Sequence, residues 1–198
     1  MKLVLASKNQ KKLVEMRDIL SHMGVEVCLQ SDVGVDVDVE ETGTTFEENS
    51  LLKARAVMEA SGLPAIADDS GLCVDALGGA PGVYSARYGG PGLDDVGRYR
   101  LLLENMKGQP RGAKFVSVIT CCFPNGDVLT ARGECPGTIA FAPMGEGGFG
   151  YDPVFFIPSL KKTFAQLSSE EKNAISHRGN ALKLFQQKLA DYLSGQSK

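Results

Sequence analysis

Pro64-Ala65-Ile66-Ala67-Asp68-Asp69-Ser70-Gly71 is the stretch that decides the architecture. Pro64–Ala67 is short and apolar, with Gly62 behind it and the turn-formers Ser70-Gly71 ahead, as expected of a buried strand. Two carboxylates follow at once. Neighbouring carboxylates repel unless a cation or hydrogen-bond donor stabilises them. Strand ends in α/β sheets are where ligands bind, so Asp68 and Asp69 are the first candidates for a site. An Asp-capped turn completed by Ser70-Gly71 explains the pair equally well on local grounds.

Upstream, the capping box Thr45-Phe46-Glu47-Glu48 opens a helix that runs to about Ser61 and is closed by Gly62. Lys2–Ala6 reads as a buried strand. A helix follows with Leu13, Met16, Ile19, Leu20 and Met23 on one face and Gly24 at its end, then a second strand, Val25–Leu29. Asp32–Glu41 carries five acidic residues among valines and reads as a valine-rich strand edge. Downstream, residues 71–92 are glycine- and proline-rich loop. Asp94–Met106 has helical spacing. Lys114–Phe123, the turn Pro124-Asn125-Gly126-Asp127 and Val128–Glu134 predict a β-hairpin. A glycine-rich loop, 145–150, precedes the strand Val154–Ile157. Ser168-Ser169-Glu170-Glu171 caps a helix, and Leu182, Phe185, Leu189, Tyr192 and Leu193 mark a C-terminal one. Strands alternate with helices early and a hairpin comes late, which predicts an α/β fold with a mixed twisted sheet flanked by helices. Without repeats or a linker, residues 1–198 are expected to form one domain.

The bulk numbers narrow the function classes. At 198 residues and 43% hydrophobic, the chain is long enough to bury a real core. No run approaches the roughly 18 apolar residues of a spanning helix. The apolar run at the N-terminus stops at Ala6 and meets Lys8, Lys11 and Lys12, unlike a signal peptide. Five cysteines without a CxxC pair and only two histidines argue against zinc and for free thiols in a reducing cytoplasm. Cys121 and Cys122 are adjacent on an expected strand and so point to opposite faces. A net charge of −3 argues against a nucleic-acid binder, so an anionic substrate must be met by local positive charge.

Four further segments have the residue types for chemistry. Ser7-Lys8-Asn9-Gln10-Lys11-Lys12 sits between strand and helix, where backbone N–H groups and the helix dipole favour an anion. Its bland alternative is a solvated helix start capped by Ser7 or Asn9. Glu40-Glu41 could add a second carboxylate for a hard cation such as Mg²⁺, or be solvated edge. In Gly147-Gly148-Phe149-Gly150-Tyr151-Asp152-Pro153 the aromatics can stack on a base, and backbone amides or Asp152 can read its edge. Lys172 suits phosphate, and His177 and Arg178 are donors for a carbonyl oxygen. His22, near the end of an amphipathic helix, needs no function.

Together these segments resemble the Ham1/RdgB family of inosine triphosphate pyrophosphatases over nearly the whole chain. The resemblance rests on residues 6–12, 41–49, 67–72, 79–87, 147–153 and 176–179, in the same order. It implies hydrolysis of ITP, dITP and XTP between the α- and β-phosphates, a two-lobed fold with a central cleft, Mg²⁺ and a homodimer. It implies phosphate binding by Ser7–Lys12, with Asn9 and Lys12 the closest matches. Asp69 resembles the catalytic, metal-associated carboxylate, with Glu41, Glu40 or Asp68 as further metal ligands. Ser70, Phe149, Gly150, Tyr151, Asp152, Lys172, His177 and Arg178 match nucleotide contacts. Lys8 and Lys11 stand where many relatives place glycine or another small residue. The rival readings are a Maf-like pyrophosphatase of modified pyrimidine nucleotides and a nucleotide-binding protein without turnover. No nucleic-acid or membrane partner is expected.

Overall fold

The computed structural model describes residues 1–196. Its elements are β1 (Lys2–Leu5), α1 (Gln10–Leu20), β2 (Glu26–Leu29), α2 (Phe46–Ser61), β3 (Ala65–Val74), α3 (Asp95–Asn105), β4 (Gly112–Cys122), β5 (Val128–Ile139), β6 (Phe155–Ile157), β7 (Lys162–Thr163), α4 (Ser169–Ile175) and α5 (His177–Gln196). The strands form a seven-stranded sheet in the order β2-β1-β3-β4-β5-β6-β7. β1 pairs parallel with β2 and β3, whereas β6 pairs antiparallel with β5 and β7. The sheet is mixed, as the order of strands, helices and hairpin predicts.

Two compact units share the chain. The first comprises Met1–Asp69, Ser117–Gly133 and Arg178–Lys198, and the second Ser70–Val116 and Glu134–His177. In the first, Leu3, Leu5, Ile66, Ile119 and Cys121 pack with Leu13, Met16 and Leu20 of α1 and Leu182, Phe185 and Leu189 of α5. Val4, Ala6, Ala65, Ala67 and Cys122 pack instead with Ala54 and Val57 of α2. This alternation is the period of two of a pleated strand, and Cys121 and Cys122 part as expected. Each buried leucine or phenylalanine contributes about 1.5–3 kcal/mol. Such contacts, more than helix propensity, hold the helices in place. The second unit centres on Leu72, Val74, Leu102, Phe115, Phe155 and Phe164. Phe155 meets Phe115 and Phe164 edge-on, with centroids 4.5 and 4.9 Å away.

Local signals set the helix starts. Thr45 and Ser168 form capping boxes with Glu48 and Glu171. The hairpin closes at Gly126, whose φ of +95° suits glycine. Three sequence-based expectations fail. β3 does not end at Ala67 but continues to Val74, because Leu72 and Val74 are fully buried and draw the chain on through the sheet. Residues 34–45 include no strand: their valines lie half-buried while Asp36, Asp38 and Glu40 are exposed. Residues 71–92 contain, besides the end of β3, short 3₁₀ turns at Asp75–Leu77 and Gly82–Arg87.

Candidate active site

Because β3 runs on past Ala67, Asp68 and Asp69 lie mid-strand, and the pleat sends them to opposite faces of the sheet. Asp68 follows Ile66 toward α1 and α5. Its Oδ2 accepts from Lys12 Nζ at 2.9 Å and from Arg178 Nη2 at 2.9 Å and Nε at 3.3 Å. Its Oδ1 accepts from Ser117 Oγ at 2.6 Å. Arg178 also pairs with Glu15 of α1. Burial raises the Asp68 pKa, but Arg178, Lys12 and Ser117 outweigh it and hold the carboxyl well below its ordinary range. Burial lowers the Lys12 pKa against the pull of Asp68, and the nearby charges of Lys53 and Arg178 lower it further.

Asp69 follows Ala67 toward α2. There Lys53 Nζ donates to Asp69 Oδ1 at 2.9 Å, Glu41 Oε1 at 2.7 Å and the Asp68 carbonyl at 3.1 Å. Asp69 Oδ2 is buried and makes no hydrogen bond. The Lys53 pair alone would lower the Asp69 pKa, yet burial outweighs it and the net shift is upward. Burial opposes the Lys53 charge, but Asp69 and Glu41 together leave its pKa raised.

Side chains tie down the strandless segment that carries Glu41. Gln30 grips Val37 as a neighbouring strand would, donating to its carbonyl at 3.0 Å and accepting from its N–H at 3.2 Å. Asn49 Oδ1 accepts from the Gly43 N–H at 2.8 Å. Glu48 accepts from the backbone of Thr44 and Thr45. Glu40, next to Glu41, is exposed.

A cavity of about 250 Å³ opens in this unit, lined among others by Ser7, Lys8, Lys12, Glu41, Lys53 and Asp68. Next to Lys8 of that lining, Asn9 caps α1, accepting from Lys11 N and Lys12 N, and Ser7 Oγ accepts from Asn9 N. Capping and anion binding are therefore compatible here: the same turn caps the helix and presents Lys12. Lys8 pairs with Asp36 at the surface, and Gln10 and Lys11 are exposed.

The second unit contains the glycine-rich loop and Lys172. Asp152 Oδ2 accepts from Phe149 N at 3.0 Å and pairs with Lys172 Nζ at 2.9 Å, both side chains buried. A Cβ on Gly148 would lie 2.0 Å from that oxygen, and its φ is +70°, so glycine is required. Lys172 Nζ also stands 4.8 Å from the centre of the Phe149 ring. Asp95 accepts from the Gly150 N–H at 3.0 Å, and Tyr151 donates to the Ser85 carbonyl at 2.6 Å. His177 is buried and stacked on Phe115, 4.5 Å between centroids. Ser70, half-buried, begins this unit.

Lys53, Ser117 and Glu15 escaped the reading of the sequence. Lys53 has no motif around it, but a signal existed. The buried stripe of α2 includes Asn49, Ser50, Ala54 and Val57, and residue 53 shares it by helical spacing. A lysine there needs a buried partner.

The donor set fits one hard divalent ion. Among the described residues no three His, Cys, Asp or Glu side chains gather as a metal cage. Asp69 and Glu41 do share one cation, the Lys53 ammonium, and Asp69 Oδ2 has acceptor capacity to spare. Mg²⁺ typically takes one or two carboxylates and completes its shell with water and phosphate oxygens.

Comparisons with known proteins agree with one another. The model of the Ham1 family matches residues 3–188. The chain is 52% identical to a dITP/XTP pyrophosphatase of Shigella flexneri, over 93% of this chain and 95% of that one. It is likewise 52% identical to the dITP/XTP pyrophosphatase of Escherichia coli (strain K12), over 93% and 95% of the two chains. Among solved structures, the Ham1 protein of Staphylococcus aureus aligns with a TM-score of 0.88 at 44% identity, covering 97% of this chain and all of that one.

Proposed function

The chain belongs to the Ham1 family, and on that premise we propose a full mechanism for it as a nucleoside-triphosphate pyrophosphatase. It is a hydrolase that converts non-standard purine nucleoside triphosphates, dITP, ITP and XTP, to the monophosphate and pyrophosphate. The observation that supports the assignment of roles is the split of Asp68 and Asp69 between the two faces of β3. Asp68 is locked as a permanent anion between Lys12 and Arg178. Asp69 keeps a free oxygen and a raised pKa, as a proton acceptor for water requires.

In this mechanism Asp69 orients and deprotonates the water that attacks the α-phosphorus in line, and pyrophosphate leaves. Lys12, presented by the capped first turn of α1 and steered by Asp68, neutralises phosphate oxygens. Ser7–Lys11 complete that cradle. Glu41 and Asp69 would hold Mg²⁺, which when bound offsets the charge developing on the phosphates. Asp68, already saturated by cations, is proposed to act through Lys12 and Arg178, and exposed Glu40 to stay in solvent. For the base, Phe149 offers a ring face whose loop is fixed by Asp152 and Lys172, with Gly150, Tyr151 and Ser70 completing the nucleotide contacts. His177 and Arg178 supply donors for the purine 6-oxo oxygen. Adenine presents an amino group there, and unpaired donors discriminate strongly.

The enzyme is proposed to work in the cytoplasm as a homodimer, without nucleic-acid or membrane partners. Among the described residues, no helix is long and apolar enough to cross a membrane. The test is pyrophosphate release from dITP, XTP and dATP by wild type and Asp69→Asn. Release from dITP and XTP that far exceeds dATP and vanishes in the variant is expected. Equal turnover of dATP would remove the base-reading part.

A further inference from the structure

Resting on the reading of Glu41 and Asp69 as the metal carboxylates, we infer that Lys53 is the resident counter-cation of that site. The divalent ion must displace it, and the nucleotide's phosphates then receive it, so metal loads well only together with substrate.

The geometry carries this. The three N–H bonds of the Lys53 ammonium meet three acceptors: Glu41 Oε1 at 2.7 Å, Asp69 Oδ1 at 2.9 Å and the Asp68 carbonyl at 3.1 Å. The side chain is 13% exposed and that of Asp69 7%, so the ammonium neutralises carboxylates with little access to water. An ion held by Glu41 Oε1 and Asp69 Oδ1, which leaves Asp69 Oδ2 for the attacking water, would use the same two oxygens that Lys53 engages. It would then crowd the ammonium, and a double positive charge so close to a single one is strongly repulsive in a partly dry site. Both cannot occupy the place between Glu41 and Asp69.

The displaced ammonium has somewhere to go. Lys53 lines the 250 Å³ cavity together with Ser7 and Lys12, the residues proposed to meet phosphate. Its flexible four-carbon stem lets the charge swing while α2 stays fixed. Without a polyphosphate in that cavity, moving Lys53 gives up three close acceptors at once. With one, it gains new anionic partners. The coupling between nucleotide and metal thus follows from one side chain.

Mn²⁺, counted by the loss of its free electron paramagnetic resonance signal, tests the idea without turnover. Wild type, Lys53→Met, Lys53→Gln and Lys53→Arg are titrated with and without the α,β-methylene analogue of dITP, with melting curves to certify folding. Without nucleotide, the neutral Met and Gln variants should bind Mn²⁺ at least about tenfold more tightly than wild type, and Arg should not. The analogue should tighten Mn²⁺ binding strongly in wild type and much less in the neutral variants. Binding no tighter in either neutral variant overturns the inference, since the ion would then be using Asp69 Oδ2 beside an undisturbed Lys53. A separate arm checks the premise. If Asp69→Asn and Glu41→Gln bind Mn²⁺ like wild type in the presence of the analogue, the two-carboxylate reading falls and takes the inference with it.

Discussion

Asp68 and Asp69 are joined by one peptide bond, yet burial has opposite net outcomes for them. Asp68 meets two cations and a hydroxyl, so its pKa falls. Asp69 meets one lysine that it shares with Glu41, so burial prevails and its pKa rises. Replacing Asp68 with alanine strips Lys12 of its counter-ion and leaves Arg178 to Glu15. Losing one partner of a buried pair costs about 3–5 kcal/mol, which urea denaturation at neutral pH should register. The pH dependence has a definite sign. With a folded pKa below the unfolded value of about 3.9, Asp68 contributes stability above that pH and loses it as pH falls through the folded value. Asp68→Asn should therefore flatten the acid limb of the stability profile. Asp69→Asn should instead leave the melting curve close to wild type and cut kcat by about 10²–10⁴. In wild type, kcat/KM should fall with acidification at a pH above the ordinary carboxyl value of 3.8, because a base with a raised pKa is protonated sooner.

The loop ahead of α2 shows what single elements contribute and how much of it a sequence reveals. Caps are local, so Thr45 and Ser168 were legible as helix starts, and the Pro124–Asp127 turn as a hairpin. Partners far apart in sequence were not. β3 read as ending at the aspartates because Ser70-Gly71 is a turn signal, and only the burial of Leu72 and Val74 overrides it. That miss matters, since a strand end would have put both carboxylates at one mouth, whereas a continuous strand separates them by face. Gly43 is similar. Its role depends on Asn49 folding back over it, and a Cβ at this position would lie only 2.6 Å from Asn49 Oδ1 and 2.7 Å from Glu48 Cβ. Gly43→Ala should cost about 1–3 kcal/mol by overpacking and loosen the hold on Glu41. Thermal melting would show the first effect. A raised metal requirement for dITP hydrolysis would show the second, and an unchanged requirement would mean Glu41 is held by the Gln30–Val37 clamp instead.

Across the whole molecule, the sign of the net charge opposes the substrate. A chain of net charge −3 does not draw in a triphosphate by its overall field, so attraction has to come from a few lysines around one cavity. They divide by exposure. Lys8 is 62% exposed, whereas Lys12 is 18% and Lys53 13% exposed. Salt screens exposed charges over a Debye length of about 8–10 Å near physiological strength but reaches buried ones far less. Inorganic triphosphate has the phosphates without the base and should compete with dITP. Raising salt from about 0.05 to 0.5 M should weaken its inhibition several-fold without abolishing it, because Lys12 and Lys53 remain shielded. A single-stranded DNA of similar charge density should not compete at all, as its phosphates need an extended basic surface that an acidic chain lacks. Steady-state inhibition at two salt concentrations, with both anions, measures this. Competitive inhibition by the DNA at physiological salt would show that attraction extends well beyond the cavity, and that exposed Lys8 and Lys11 do more than complete its cradle.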